Sequence, residues 1–449
     1  MSNDIITKVK LAKNASIPLA SVSGAIKNSA LAAMAQALDS NREIIISANK
    51  KDISAAEKLA EAGKLSRSLV KRLKVDDTKI DEMIAGVRDV LKFDDPVGKT
   101  LSALELDRGL ELYQVSCPIG LIGVIFESRP DVVPQIMSLC LKSGNATIFK
   151  GGSEAGNSNR AIFDVLAKAI ESTEGMPQGA FALMETREEV NEMLKLDDYI
   201  NLIIPRGSNE FVKYIQDNTR IPVLGHSSGI CHVYVDKEAD TEKGFDVCYD
   251  SKVQYAAVCN AMETLLVHKD IAGTFLPEMC WKYDAAGVEL RCDKRSFEIL
   301  QNKGFLKAII HAGEEDWKTE YNDLILSIKI VDSTEEAIDH INKYGSHHTD
   351  AIITENKTAA SRFIDLVDSS SVMWNASTRF ADGFRYGKGA EVGISTNKIH
   401  ARGPVGMEGL LIYKYALLGN GHKVADYVGK NARKYTHKKL KSELCEKMG

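Results

Sequence analysis

Between Leu121 and Asp217 short apolar runs alternate with stretches of helical period, and this alternation narrows the chain to one kind of sheet. Leu121–Phe126, 146–149, Phe181–Met184 and 200–204 read as strands, the first two apolar enough to be buried on both faces. Residues 132–141, 157–170, a short stretch near Val190 and the segment from Asn209 read as helices. A helix between two strands carries the chain back across one face, so the strands should pair in parallel in a doubly wound sheet. A second series starts near Ile230, with strands expected at 230–235, 263–267, 306–310, 324–331, 351–354 and Ser371–Trp374. Before both, the first hundred residues carry apolar positions every three to four residues, as in helices, until Asp95-Pro96 breaks the pattern. From Gly109 the period shortens to two, as in an exposed hairpin strand. After Trp374 the chain turns glycine-rich, which reads as loop with strand.

A length of 449 residues exceeds one ordinary core, so two or more domains are expected. A net charge of -5 gives no reason to expect nucleic acid or an anionic membrane as partner. No apolar run approaches the roughly 20 residues of a membrane helix, and no secretion signal opens the chain, so a cytoplasmic enzyme is expected. The eight cysteines are scattered, without metal-ligand spacing, and most should be small buried hydrophobes. The last twenty residues are basic and read as a solvated, partly ordered tail.

Four segments can carry chemistry. Cys259, followed by Asn260, lies just before an apolar strand, where a loop can present a thiol at a cleft; a lone cysteine is nevertheless more often a packing residue. Lys150 ends a buried strand and leads through Gly151, Gly152 and Ser153 into a helix. That turn either offers a place for ribose and phosphate or is a tight connection with a surface lysine. Gly207 and Ser208 close another buried strand, and their amides can hold a pyrophosphate or simply make a turn. Ser128 and Arg129 follow a third strand at its C-terminal edge, where an arginine suits an anionic substrate as well as a surface ion pair.

Taken together and in this order, PIGLIGVIFESRPDV, IFKGGSEAGNSN, IIPRGSNEFV, QYAAVCNAMETLLVH, WNASTRFADGFRYGKGAEVGIST and HARGPVGMEGL resemble the aldehyde dehydrogenase superfamily. Within it they resemble the glutamate-5-semialdehyde dehydrogenase family, over about residues 5–415. The resemblance implies an aldehyde dehydrogenase-like α/β fold: two doubly wound domains plus a small β-hairpin oligomerisation element. The cofactor domain would comprise 1–100 and 120–225, completed by part of 376–400. The catalytic domain would be 226–375, the oligomerisation element 101–119 with 401–420, and the basic tail 421–449. It implies NADPH-dependent reduction of γ-glutamyl phosphate in proline biosynthesis, through a thioester on Cys259 with Asn260 as an oxyanion donor. Lys150, Gly151, Ser153, Gly207, Ser208 and Glu320 would bind the cofactor, and Ser128, Arg129 and Arg379 the substrate, with Arg402 a further candidate. No metal is implied. A homo-oligomer, a dimer or larger, is expected, and so is transient contact with a separate glutamate 5-kinase.

Two departures refine this expectation. Hydrolytic relatives carry a glutamate that activates water, whereas this chain has Val223 in the matching stretch, and a valine is no base. NAD-using relatives carry a glutamate at the position of Ser153, so a 2′-phosphate meets no like charge there and NADP is favoured. The rival expectations are an aldehyde-oxidising dehydrogenase, against which Val223 argues, and a catalytically inactive nucleotide-binding protein. His347 and His348 either face the site or, as is commoner for such a pair, lie on a surface loop.

Overall fold

The computed structural model describes residues 3–63, 67–185, 188–226, 228–303 and 309–448. It divides into two compact units, 1–224 with 406–449, and 225–405. The segment 376–400 therefore lies in the second unit, as do residues 401–405.

The first unit is built on a four-stranded parallel sheet in the order Phe181–Met184, Ala146–Gly151, Leu121–Phe126, Leu202–Arg206. Every residue of the two central strands is buried, as expected where helices cover both faces of a parallel sheet. The chain adds strands to one side of Leu121–Phe126 and then crosses to the other. The order thus reverses between Leu121–Phe126 and Leu202–Arg206, and at such a reversal a crevice opens beyond the C-terminal strand ends. The periodic N-terminal region forms helices Asn3–Leu19, Gly24–Ser40, Arg42–Glu61 and Asp77–Leu91. Asp76 starts the last of these by accepting from the Lys79 amide, and Ile80, Met83, Ile84, Val87 and Val90 make its buried stripe.

An antiparallel sheet in the same unit runs Leu411–Leu418, Leu110–Pro118, Thr100–Asp107, Lys438–Lys439. Gly109, at φ 77°, makes the tight turn between the two hairpin strands. The basic tail is not simply solvated: it folds back on this hairpin. Asp107 accepts from Tyr427 at 2.9 Å and pairs with Arg433 at 2.6 Å, and Glu111 pairs with Lys447 at 3.2 Å. The countercharges lie far back in the chain, so the charge run alone did not reveal its partners.

The second unit has a seven-stranded parallel sheet: Ile309–His311, Glu289–Cys292, Ile325–Val331, Met262–His268, Cys231–Val235, Thr349–Ile353, Ser371–Trp374. Of the strand expected at 306–310, residues 306–308 lie outside the described residues. Glu289–Cys292 was not expected, because it buries only Leu290 and Cys292 and carries charge on the alternate positions. Cys248, Cys280 and Cys292 sit in the core with Phe275, Leu276 and Met279, and burial pushes all three thiols up, so they stay protonated.

One polar pair interrupts that sheet. Glu263, on the central strand Met262–His268, meets Lys252 at 2.6 Å with both side chains fully buried. Burial pushes the Glu263 carboxyl up to about 7 against the pull of Lys252, and it pushes Lys252 down. Removing one partner strands the other charge. Glu263→Ala should therefore lower stability by about 3–5 kcal/mol in urea denaturation, whereas Lys252→Met combined with Glu263→Leu should recover most of the loss.

Candidate active site

Helix Thr241–Val253 ends at Gln254, and the chain reaches strand Met262–His268 through a loop that carries Cys259. Two contacts hold this loop. The Cys231 thiol donates to the Cys259 carbonyl at 3.2 Å, and Gly229 lies directly against the Cys259 backbone. A Cβ at 229 would fall 2.1 Å from the Cys259 oxygen, so only glycine permits the approach. Cys259 is partly exposed, while Cys140, Cys231, Cys248, Cys280 and Cys292 are buried.

Two imidazoles flank the thiol. One ligand atom each of His226, Cys259 and His348 lies within 4.8 Å of the others. His226, Cys259 and His348 precede the adjacent parallel strands Cys231–Val235, Met262–His268 and Thr349–Ile353, whose starts share one edge of the sheet. The His226 Nδ1 sits 3.0 Å from the Ile394 carbonyl, which can only accept, so the proton on this ring is at Nδ1. His348 is fully buried, with Nδ1 2.8 Å from Thr349 Oγ1, and burial followed by His226 holds it well below the ordinary histidine range. The expected surface loop pair is thus only half right. His347 is partly exposed against Asp368, but His348 is packed beside the thiol. Sequence reasoning passed over His226 altogether, although it stands three residues after Val223. Val223 itself forms a bridge to Ile203 within the first unit. Beside the expectation for Val223, the structure adds an imidazole near the thiol, that of His226.

Asn260 is buried, and its amide nitrogen donates to the Ala381 carbonyl at 2.9 Å, leaving one N–H. Arg379 is also buried and donates to Gln254 at 3.0 Å. Burial and then Arg385 lower its pKa, while Asp250 and Cys259 pull it back up. A guanidinium within electrostatic reach of a thiol is the kind of neighbour that steadies a thiolate. Arg402, by contrast, is engaged with the carboxylate of Asp368 at 3.0 Å. Glu320 is half-buried, and its charge adds to the upward push on Glu263.

In the first unit, the residues expected to hold anions gather at the C-terminal ends of the parallel strands. Lys150 is buried on strand Ala146–Gly151, and its amine donates to the Gly151 carbonyl. Gly151 is itself required: a Cβ there would lie 2.1 Å from Asn159 Nδ2. Ser153 is exposed at the head of a short 3-10 turn. Ser128 takes a left-handed backbone, φ 43°, and Arg129 after it is exposed. Gly207 precedes Ser208, whose hydroxyl caps helix Asn209–Asp217.

Several amides at this edge carry the protein's own carboxylates. Glu127 accepts from the Ser208 amide at 2.9 Å, and Glu154 accepts from both the amide and the hydroxyl of Ser128 at 2.7 Å. Asp52 accepts from the Asn157 and Ser158 amides at 3.2 and 2.7 Å, at the start of helix Gly156–Glu171. The sequence reading gave Glu127 and Asp52 no role, because each lies far along the chain from the turn whose amides it accepts from.

The sequence profile of the aldehyde dehydrogenase family matches residues 1–299. The chain is 70% identical to a γ-glutamyl phosphate reductase of Methanosarcina mazei over 98% of both chains. It is also 70% identical to one of Methanococcoides burtonii over 99% of both. The crystal structure of a γ-glutamyl phosphate reductase from Thermotoga maritima superposes with a TM-score of 0.89 at 41% identity, covering 94% of this chain and all of that one. By profile, full-length identity and fold, the chain belongs to the aldehyde dehydrogenase family and, within it, to the γ-glutamyl phosphate reductases.

Proposed function

We propose that this chain reduces γ-glutamyl phosphate to glutamate 5-semialdehyde and phosphate, with NADPH as reductant and Cys259 as nucleophile. The observation that carries the assignment of the nucleophile is the partly exposed Cys259 thiol, held by Gly229 and Cys231 and within the field of Arg379. The Cys259 sulfur attacks the acyl carbon, the carbon–oxygen bond to phosphate breaks, and phosphate leaves with the electron pair, so that a thioester forms. The second N–H of Asn260 is suited to the oxyanion of the tetrahedral adduct, and a donor in that role contributes about 3 kcal/mol. Arg379, with Ser128 and Arg129, is assigned to the substrate's anionic groups, where guanidinium–oxygen pairing is strong. When bound, the cofactor supplies the hydride that reduces the thioester carbonyl.

The residues fit a dinucleotide. Lys150, Gly151, Ser153, Gly207 and Ser208 stand at the strand ends where the sheet order reverses, with Glu320 assigned to the nicotinamide ribose. The preference for NADP rests on Ser153, because the neighbouring Glu154 carboxylate is turned onto Ser128. The edge strand Leu411–Leu418 exposes Ile412, Tyr413, Tyr415 and Leu417, which supports a homo-oligomer formed through this hairpin sheet. No described helix is long and apolar enough to cross a membrane, and a cytoplasmic setting is part of the proposal.

The second reading, oxidation of an aldehyde to its acid, draws support from His226, since an imidazole near the thiol can activate water. Phosphate separates the two. With glutamate semialdehyde and NADP, reduction of NADP should stop when phosphate is omitted, and undiminished reduction would favour the hydrolytic reading. Cys259→Ala should cut turnover in both directions by more than about a thousandfold with the circular-dichroism spectrum unchanged. Glu127→Gln removes a negative charge from the amide that would meet the pyrophosphate. Losing about 1 kcal/mol of like-charge repulsion should tighten NADPH binding by about fivefold in a fluorescence titration.

A further inference from the structure

We propose that His226, Cys259 and His348 form a site for one soft divalent cation, Zn2+ foremost, and that its occupancy removes Cys259 from the reaction. The inhibitory half of this proposal rests on Cys259 being the nucleophile; the site itself does not.

The donors are one thiolate and two imidazoles, a set that selects zinc over magnesium or calcium. Their ligand atoms already lie within 4.8 Å of one another. Tetrahedral zinc with these bond lengths needs donor separations of about 3.5 Å, so the cluster has to contract by about 1 Å. Cys259 and His226 are only partly buried, which leaves their side chains room to turn.

Three features of the surroundings suit a cation. His226 donates its Nδ1 proton to the Ile394 carbonyl, the kind of outer contact that orients a ligating imidazole. The His348 Nε2 is buried without a partner among the described residues, a cost that a bound ligand would remove. The three residues precede adjacent strands of one hydrogen-bonded sheet, which sets them along one edge of it. Arg379 acts in the opposite direction, since its positive charge opposes a second cation nearby. The site should therefore bind more weakly than a closed four-ligand structural zinc site.

The chemistry balances simply. Cys259 releases its proton to solvent as one zinc–sulfur and two zinc–nitrogen bonds form, and water takes the fourth position. No electron is transferred. Thioester formation and cation binding both use the same sulfur lone pair and exclude each other.

Cobalt(II) reads the site directly. Titrating the metal-free, full-length chain with Co2+ should produce a sulfur-to-cobalt charge-transfer band and intense visible bands of tetrahedral cobalt, saturating at one ion per chain and bleached by Zn2+. Cys259→Ser should abolish the charge-transfer band. His226→Asn and His348→Asn should each weaken Zn2+ binding by at least about tenfold. Should the buried His348→Asn variant fail to fold, the partly exposed His226→Asn carries the test. In parallel, Zn2+ should stop turnover and a chelator should restore it. Absence of the band, its survival in Cys259→Ser, or unchanged affinity in His226→Asn overturns the site. Full turnover with the site saturated overturns the inhibitory role. If the band is present but the metal-free enzyme does not reduce γ-glutamyl phosphate, the functional reading falls and the cation site stands.

Discussion

Gly229 allows the loop before strand Cys231–Val235 to touch the loop before strand Met262–His268, and the arrangement of the thiol follows from that contact. With any side chain at 229 the Cys259 backbone would have to retreat, since the added carbon would lie 2.1 Å from its oxygen and 2.5 Å from its Cα. The contact also brings Cys231 under the Cys259 carbonyl and sets the thiol in reach of His226 and His348. Parallel pairing does the rest, because strands that run together start together. Cys259, the proposed nucleophile, consequently sits at the strand starts of its sheet, whereas the residues proposed for the cofactor gather at strand ends of the first unit's sheet, the more usual place for a ligand in an open α/β sheet.

In the first unit, the chain's own carboxylates accept from backbone amides at strand ends and helix starts. Backbone amides at strand ends and helix starts are donors that burial would make costly to leave unpaired. Glu127, Glu154 and Asp52 satisfy them. Asp52 is fully committed, accepting also from the Asn157 side chain and the Ser158 hydroxyl, and reads as a permanent buttress between helices Arg42–Glu61 and Gly156–Glu171. Glu127, by contrast, accepts from the Ser208 amide in an exposed turn.

The sequence was most legible where burial imposes one period over a whole element. Leu121–Phe126 and Ala146–Gly151 are buried at every position, and their apolar runs could be read directly. Helix Asp77–Leu91 announced itself through its capping Asp76 and its apolar stripe. Legibility failed where an element draws its stability from partners distant in the chain. Glu289–Cys292 is a strand because Ile309–His311 and Ile325–Val331 pair with it, not because of its own pattern. The tail beyond Tyr427 gains its order from Asp107 and Glu111. At the candidate site, the motif singled out Cys259 as the expected nucleophile, whereas its proximity to His226 was not legible, since the two lie far apart in sequence.

Those two histidines change the argument about water. Val223 is no base, yet one nitrogen of each imidazole lies within 4.8 Å of the sulfur. Proximity alone does not make a hydrolase. It must address a water on the open face of the thioester, and the His226 ring is fixed through Nδ1 to Ile394 and packed edge-on against His348 at 4.9 Å between ring centres. A ring restrained in this way is better suited to meeting the sulfur, or a cation on it, than to activating a water elsewhere on the acyl group. Preference for phosphate over water as acyl acceptor would then come from where the base is held, not from its absence.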